Sequence, residues 1–266
     1  MTFLDRARRR LAGWRRWLAC APLVAGLLVP APAWASGLQV APISLEFASQ
    51  DPAQAMWLSN TGKQPLNVQL RIFEWRQVGG DDQLAPTRDL VPSSSILSID
   101  PGERQLVRLV RLQPQPPAQE QSYRVLVDEL PSPSRNDGKG LRFLLRYSIP
   151  IFVLPPGATP RFKSGGPQPP TDPASFSVRA EQRDGNSWLV VTNHARQRLR
   201  LSELSLIDAR GGRETVVGGL LGYVLAGQER QWQLPVAFNA LRTGTLKAKL
   251  NDDPDEQTLS MDHASQ

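Results

Sequence analysis

The stretch from residue 141 to residue 154, Leu-Arg-Phe-Leu-Leu-Arg-Tyr-Ser-Ile-Pro-Ile-Phe-Val-Leu, constrains the fold most. Every second residue (Leu141, Phe143, Leu145, Tyr147, Ile149, Ile151, Val153) is apolar or aromatic. Strand side chains alternate between faces, so this set makes one continuous apolar ridge. Fourteen residues at about 3.3 Å each reach roughly 45 Å, where an ordinary strand has about 5–6 residues. Pro150 has no backbone donor, which places its part of the strand at a sheet edge or a bulge. A long apolar edge invites pairing with other chains, and proteins normally suppress it. Two readings follow: a long core strand that closes a sandwich, or an edge kept open for another chain.

Residues 1–35 read as an address. Six arginines between Arg6 and Arg16 precede an apolar run from Leu18 to Val29, followed by Ala33-Trp34-Ala35. Basic segment, short apolar core and small-residue site make a secretory signal peptide, cut after Ala35. The apolar run is shorter than the ~20 residues a membrane span needs, so no stable membrane insertion is expected. Cys20 precedes most of the apolar core, which argues against a lipoprotein. The signal also carries the charge. The chain has 31 basic and 25 acidic residues; removing six Arg and one Asp leaves 25 and 24, a net charge of +1. The basic balance is therefore no argument for nucleic-acid binding. Cys20 is the only cysteine, so the exported chain must hold together by its core.

The remainder predicts an all-β protein of two immunoglobulin-like sandwiches joined at an angle. Strand-period alternation runs through Leu38–Phe47, Ala55–Ser59, Leu66–Gln77, Gln105–Leu112 and Tyr123–Leu130, separated by Asn60-Thr-Gly62, Gly79-Gly80 and Asp100-Pro-Gly102. Short strands at this spacing with Pro and Gly turns suit a sandwich. Residues 36–155 form the first domain in this reading. Residues 156–172 are a Pro/Gly-rich linker, and residues 173–266 form the second domain, with a polar tail from Asn251 expected to fray. No stretch of helical period and no close repeat between the halves is evident.

Catalytic patterns are missing. His194 and His263 lie far apart and without cysteine support, so no zinc site is expected. There is no nucleophile elbow and no phosphate-binding glycine loop. Asp128-Glu129 and Asp252-Asp253 are adjacent on strands or turns and point apart, which makes them poor acid–base partners. The expectation is a binding protein, neither an enzyme nor a holder of metal or cofactor.

Several stretches, in order, resemble the periplasmic pilus-assembly chaperones of the chaperone–usher pathway (PapD-like). They are Leu58-Ser-Asn-Thr-Gly62 with Val68–Trp75, Ile99-Asp-Pro-Gly102 with Gln105–Leu109, Tyr123–Pro131, the ridge itself, and Gly222–Gly227. Tyr147–Val153 looks most like the archaic, sigma-type branch that assembles spore-coat-U-like subunits. The resemblance implies that the ridge is lent to an incomplete pilus subunit, which an outer-membrane usher then receives. It implies Leu141, Phe143, Leu145 and Tyr147 as the donor set, with Ile149–Leu154 in the home core. Better-known members anchor the subunit's terminal carboxylate with an arginine and a lysine; here Ser44 and Pro150 stand at those places. A buried carboxylate still needs a cation, and Arg124 and Arg146, with Arg71 third, are the candidates. Self-association of the free chain would hide the ridge. The alternative function is a secreted adhesin or carbohydrate-binding module; seven Trp would favour sugar stacking, but Trp14, Trp17 and Trp34 fall in the signal, and Trp57, Trp75, Trp188 and Trp232 are scattered over strands, which suits core packing.

Overall fold

The computed structural model describes residues 37–131, 143–158, 160–161 and 170–261. The first ten strands are β1 (Leu38–Ala41), β2 (Leu45–Phe47), β3 (Ala53–Asn60), β4 (Leu66–Val78), β5 (Asp81–Pro86), β6 (Leu90–Pro92), β7 (Ile96–Ile99), β8 (Arg104–Arg111), β9 (Gln121–Leu130) and β10 (Arg146–Val153). Seven more follow: β11 (Phe176–Arg183), β12 (Asn186–Asn193), β13 (Leu199–Ile207), β14 (Arg213–Val224), β15 (Glu229–Leu234), β16 (Thr245–Leu250) and β17 (Glu256–Leu259). A six-residue helix, α1 (Phe238–Thr243), is the one α-helix among the described residues.

The first sandwich packs the sheet β1-β3-β8-β6 against the sheet β2-β10-β9-β4-β5, with β7 also on β4. Alternation decides which face is which. Leu66, Val68 and Leu70 of β4 are buried while Asn67, Gln69 and Arg71 turn outward, and β9 buries Tyr123, Val125 and Val127 against them. The second sandwich packs β11-β12-β15 on β14-β13-β16-β17 around Val178, Leu189, Val191, Leu201, Leu246 and Leu250. The chain is thus two immunoglobulin-like sandwiches.

Two expectations are corrected. The tail does not simply fray: β17 pairs with β16 and buries Leu259. The ridge strand is eight residues long, not fourteen, because its partner β9 runs out at Leu130, before Pro131. Its last bond on that side runs from the Glu129 N–H to the Leu145 carbonyl at 2.9 Å. The halves also share a device. Asn60 at the end of β3 donates to Gln64 O (2.8 Å) and Ile99 O (2.9 Å) and accepts from Gly62 N–H (2.9 Å). Asn193 at the end of β12 donates to Gln197 O (2.8 Å) and Val224 O (3.0 Å) and accepts from Ala195 N–H (2.9 Å). Each buried amide closes the turn after its strand, so its bonding groups stay satisfied away from water.

Candidate functional site

β10 has two unequal edges. One pairs with β9 along its full length, from Arg146↔Asp128 to Val153↔Gln121. The other meets β2 only at Ile151–Val153, in parallel. Among the described residues, no strand covers that side of Arg146–Pro150. The Leu145 carbonyl faces β9 and the Leu154 N–H donates to Phe47 O of β2 at 2.9 Å. Backbone groups alternate sides along a strand, so the N–H and C=O of Arg146 and Ser148 and the C=O of Pro150 face the open edge. Pro150 costs no ladder bond there.

The apolar side of this edge splits in two. Ile149, Ile151 and Val153 are buried in the home domain, Phe152 packs against the second domain, and Leu154 is buried as well. Tyr147 and Leu145 are half-buried against the same core, and the Tyr147 hydroxyl donates to the Leu38 carbonyl of β1 at 2.7 Å. Phe143 is 69% exposed and Leu144 45% exposed. Leu141 lies outside the described residues. Of the expected donor set, Phe143 and the rim of Leu145 are therefore the described side chains most available to another molecule, and Tyr147 spans the seam between the two sheets.

The open edge ends at a cleft. Ser148 and Pro150 line it with Pro42, Ile43, Ser44, Trp75 and Arg124 from the first domain. The opposite wall comes from the second domain and includes Leu220–Tyr223, Arg230 and Trp232. Its volume is about 670 Å³, in the range of small-ligand sites.

The three candidate arginines separate here. Registers across β4, β9 and β10 set Phe73, Arg124 and Pro150 in one row and Gln69, Asp128 and Arg146 in another. Four residues of strand, about 13 Å, divide the rows. Arg71 donates to Asp128 at 2.7 Å and Arg146 bonds the other oxygen of the same carboxylate. Burial alone would push the Asp128 carboxyl up; the hydrogen bonds and charges of Arg146 and Arg71 outweigh it and hold the group below its ordinary value. Asp128 thus engages both arginines away from the cleft.

Arg124 differs. Its guanidinium lies 3.8 Å from the Trp75 ring centre, and one N–H donates to Ser148 Oγ at 3.2 Å. Among the described residues it makes no ion pair, whereas the cleft's Arg200 and Arg230 bond Asp252 (3.3 Å) and Asp81 (3.0 Å). Desolvation pulls the Arg124 pKa below that of an ordinary arginine. A stacked guanidinium keeps most of its five in-plane donors free. Ser44 Oγ and Trp75 Nε1, on two residues lining the same cleft, are buried without a hydrogen-bond partner. The free donors of Arg124, on this cleft, suit an acceptor-only, negatively charged group such as a carboxylate.

The cleft walls are held together firmly. Trp75, Phe152, Leu225 and Tyr223 form a small core between the sandwiches, with Trp75 edge-on to Tyr223 at 5.9 Å. The Gln77 amide donates to Tyr223 O at 2.7 Å and accepts from Leu225 N–H at 2.9 Å. Arg198 of the second domain bonds Glu120 (2.7 Å) and Glu46 of the first, all three buried, and its guanidinium lies 3.7 Å from the Phe152 ring centre. Burial pushes the Glu120 carboxyl up despite Arg198. Nothing local in the sequence marks this clasp, since its partners lie 78 and 152 residues from Arg198.

Comparison with known proteins bears on the same features. Residues 37–159 match the family model for the pili and flagellar-assembly chaperone, PapD N-terminal domain. Residues 37–159 belong to the PapD-like pilus-assembly chaperones. No curated protein sequence matches it. Among solved structures, this chaperone is similar to a chain of the CsuC–CsuE chaperone–tip adhesion subunit pre-assembly complex from the archaic chaperone–usher Csu pili of Acinetobacter baumannii. The identity is 25% and the TM-score 0.63, with 84% of this chain and 97% of that chain covered. The fold also matches the CupB2 chaperone of Pseudomonas aeruginosa (15% identity, TM-score 0.53, 83% and 97% covered). A third match is a structure of the SafA pilin with the SafB chaperone of Salmonella enterica (15%, TM-score 0.55, 84% and 94% covered). The resemblance read from the strand motifs, the archaic branch included, is thus supported by the family model and by the structural match to the archaic Csu complex.

Trp57, Trp75, Trp188 and Trp232 bear on the carbohydrate-binding alternative. Trp75 is 2% exposed, Trp188 and Trp232 are partly covered, and Trp57, at 37%, is stacked under Arg104. That distribution does not make a platform for a sugar.

Proposed function

We propose that this chaperone acts in the periplasm, after export by the signal peptide of residues 1–35, and holds incomplete pilus subunits by lending them the open edge of β10. The observation that carries this reading is the uncovered edge at Arg146–Pro150, flanked by exposed Phe143 and ending at the unpaired Arg124. Strand addition of this kind is a general recognition mode in which main-chain bonds give affinity and alternate side chains give specificity. β2 closes the edge at Ile151, so an added strand must end or turn into the cleft beside Pro150. A free carboxylate there would find Arg124, Ser44 and Trp75, and its strand would run parallel to β10. Phe143 and Leu145, with Leu141, would fill the subunit's groove, about 1.5–3 kcal/mol for each large side chain fully buried. The reading includes no catalysis and no cofactor. The expected partners are spore-coat-U-like subunits and then an outer-membrane usher, to which the subunit is passed.

The test is co-expression of the exported chain with a spore-coat-U-like subunit from the same genome. A one-to-one complex should purify. Phe143→Glu with Leu145→Glu should abolish it while the chaperone's circular dichroism and Tm stay close to the parent's. A complex indifferent to those changes would refute strand donation.

A further inference from the structure

We propose that the second-domain wall of the cleft selects the side chain of the bound subunit's last residue, accepting an apolar or aromatic one; this rests on the reading that a terminal carboxylate sits at Arg124. β14 is an edge strand, and its register with β13 shifts on either side of Ser202. Gly222 pairs with Leu201 and Leu220 with Ser202, which leaves Leu221 as an unpaired extra residue. A bulge of this kind bends a strand and re-aims side chains, often beside functional sites. Gly222 has a φ of +156°, and a Cβ there would sit 3.1 Å from the Trp232 indole. Glycine therefore lets Trp232 lie directly on the strand, as part of the cleft wall. Leu220 is 51% exposed and Ile43, on the first-domain side of the same cavity, 78% exposed. Two aliphatic side chains from different domains are thus left in water on one cavity, with an indole beside them.

The occupant follows from the edge. A strand added along β10 is stopped by β2 at Ile151. With its carboxylate on Arg124, its final side chain has the cavity beyond Pro150 to enter. The other two cations of the cleft, Arg200 and Arg230, are already held by Asp252 and Asp81, so an acidic final side chain finds no free partner. Exclusion of the wrong end residue is as much a part of selectivity as contact with the right one.

The test uses a co-expressed spore-coat-U-like subunit whose last residue is varied among Phe, Leu, Gly and Asp. Dissociation of each purified complex is followed by exchange against excess labelled chaperone. Phe- and Leu-ended complexes should dissociate at least about tenfold more slowly than Gly- and Asp-ended ones, the discrimination an apolar pocket commonly gives. Leu220→Asp and Ile43→Asp alter exposed side chains, and each should flatten that difference. Equal dissociation of all four complexes, or a preference that survives both substitutions, would overturn the proposal and leave the Arg124 reading intact. Failure to capture the subunit with any end residue would overturn both.

Discussion

Arg124→Met separates the anchor from the scaffold. Methionine keeps the length of the side chain and its contact with Trp75, exchanging a cation–π stack of about 0.5–2 kcal/mol for a sulfur–aromatic contact of about 0.3–1.5 kcal/mol. The free chain makes no ion pair with Arg124 among the described residues, and desolvation already disfavours its charged form. Stability of the free chaperone should therefore change by no more than about 1 kcal/mol. In the complex, Arg124 would bond a carboxylate in a cleft. A hydrogen bond to a charged group contributes about 1.5–3 kcal/mol, so the subunit should dissociate about 10- to 150-fold faster. Arg71→Met and Arg146→Met are the controls, because their guanidiniums are substantially exposed and already shared with Asp128. Each should cost the complex less than about 1 kcal/mol. Denaturant unfolding of the free chain and the exchange assay on the complex give the two numbers. A complex unaffected by Arg124→Met but broken by Arg146→Met would refute the assignment of the anchor.

Arg198→Met removes the cation that Glu46 and Glu120 share at a fully buried position. Removing one partner of a buried ion pair costs about 3–5 kcal/mol, so urea unfolding should shift markedly, and limited proteolysis near residues 155–172 should quicken; an unchanged midpoint would contradict the clasp. Asp128→Asn tests the neighbouring ion-pair group. The Asp128 carboxyl is held below its unfolded value of about 3.9, so its stabilisation is present above that pH and is lost as pH falls through the lower folded value. The substituted chain should be less stable than the parent at neutral pH, and the gap should close below about pH 4. A gap that persists unchanged in acid would mean that packing, not charge, is lost.

The parts visible in the sequence are those whose cause is local. Leu66–Ile72 and Tyr123–Val127 alternate because one face is buried, and Pro150 marks an edge because it lacks a donor. β5 and β17 were not visible because their residues are mostly polar or partly exposed, so pairing with β4 and β16, not an apolar pattern, defines them. β14 was obscured by its glycines and bulges, the features that shape the cleft wall. The ridge looked longer than its strand because apolar alternation continues past Arg146 towards residue 141, whereas the β9 partner ends at Leu130. Among the site residues, chemistry alone could shortlist arginines but not rank them. Asp128 lies four residues from Arg124 on β9 and still occupies a different row, and only the folded side chains show that it bonds Arg71 and Arg146. The paired asparagines were legible in principle, as Leu58-Ser-Asn60-Thr-Gly62 against Val191-Thr-Asn193-His-Ala195. With so short a match, the shared hydrogen bonds are what give it meaning.

Amide hydrogen exchange, read residue by residue by NMR on the free chaperone and on its subunit complex, tests the open edge most directly. In the free chain the N–H groups of Arg146 and Ser148 should exchange fast, because they face solvent, while those of Tyr147 and Ile149 are protected by β9. In the complex Arg146 and Ser148 should become strongly protected, with little change at Tyr147 and Ile149. A stable complex in which Arg146 and Ser148 still exchange fast would contradict strand addition at β10.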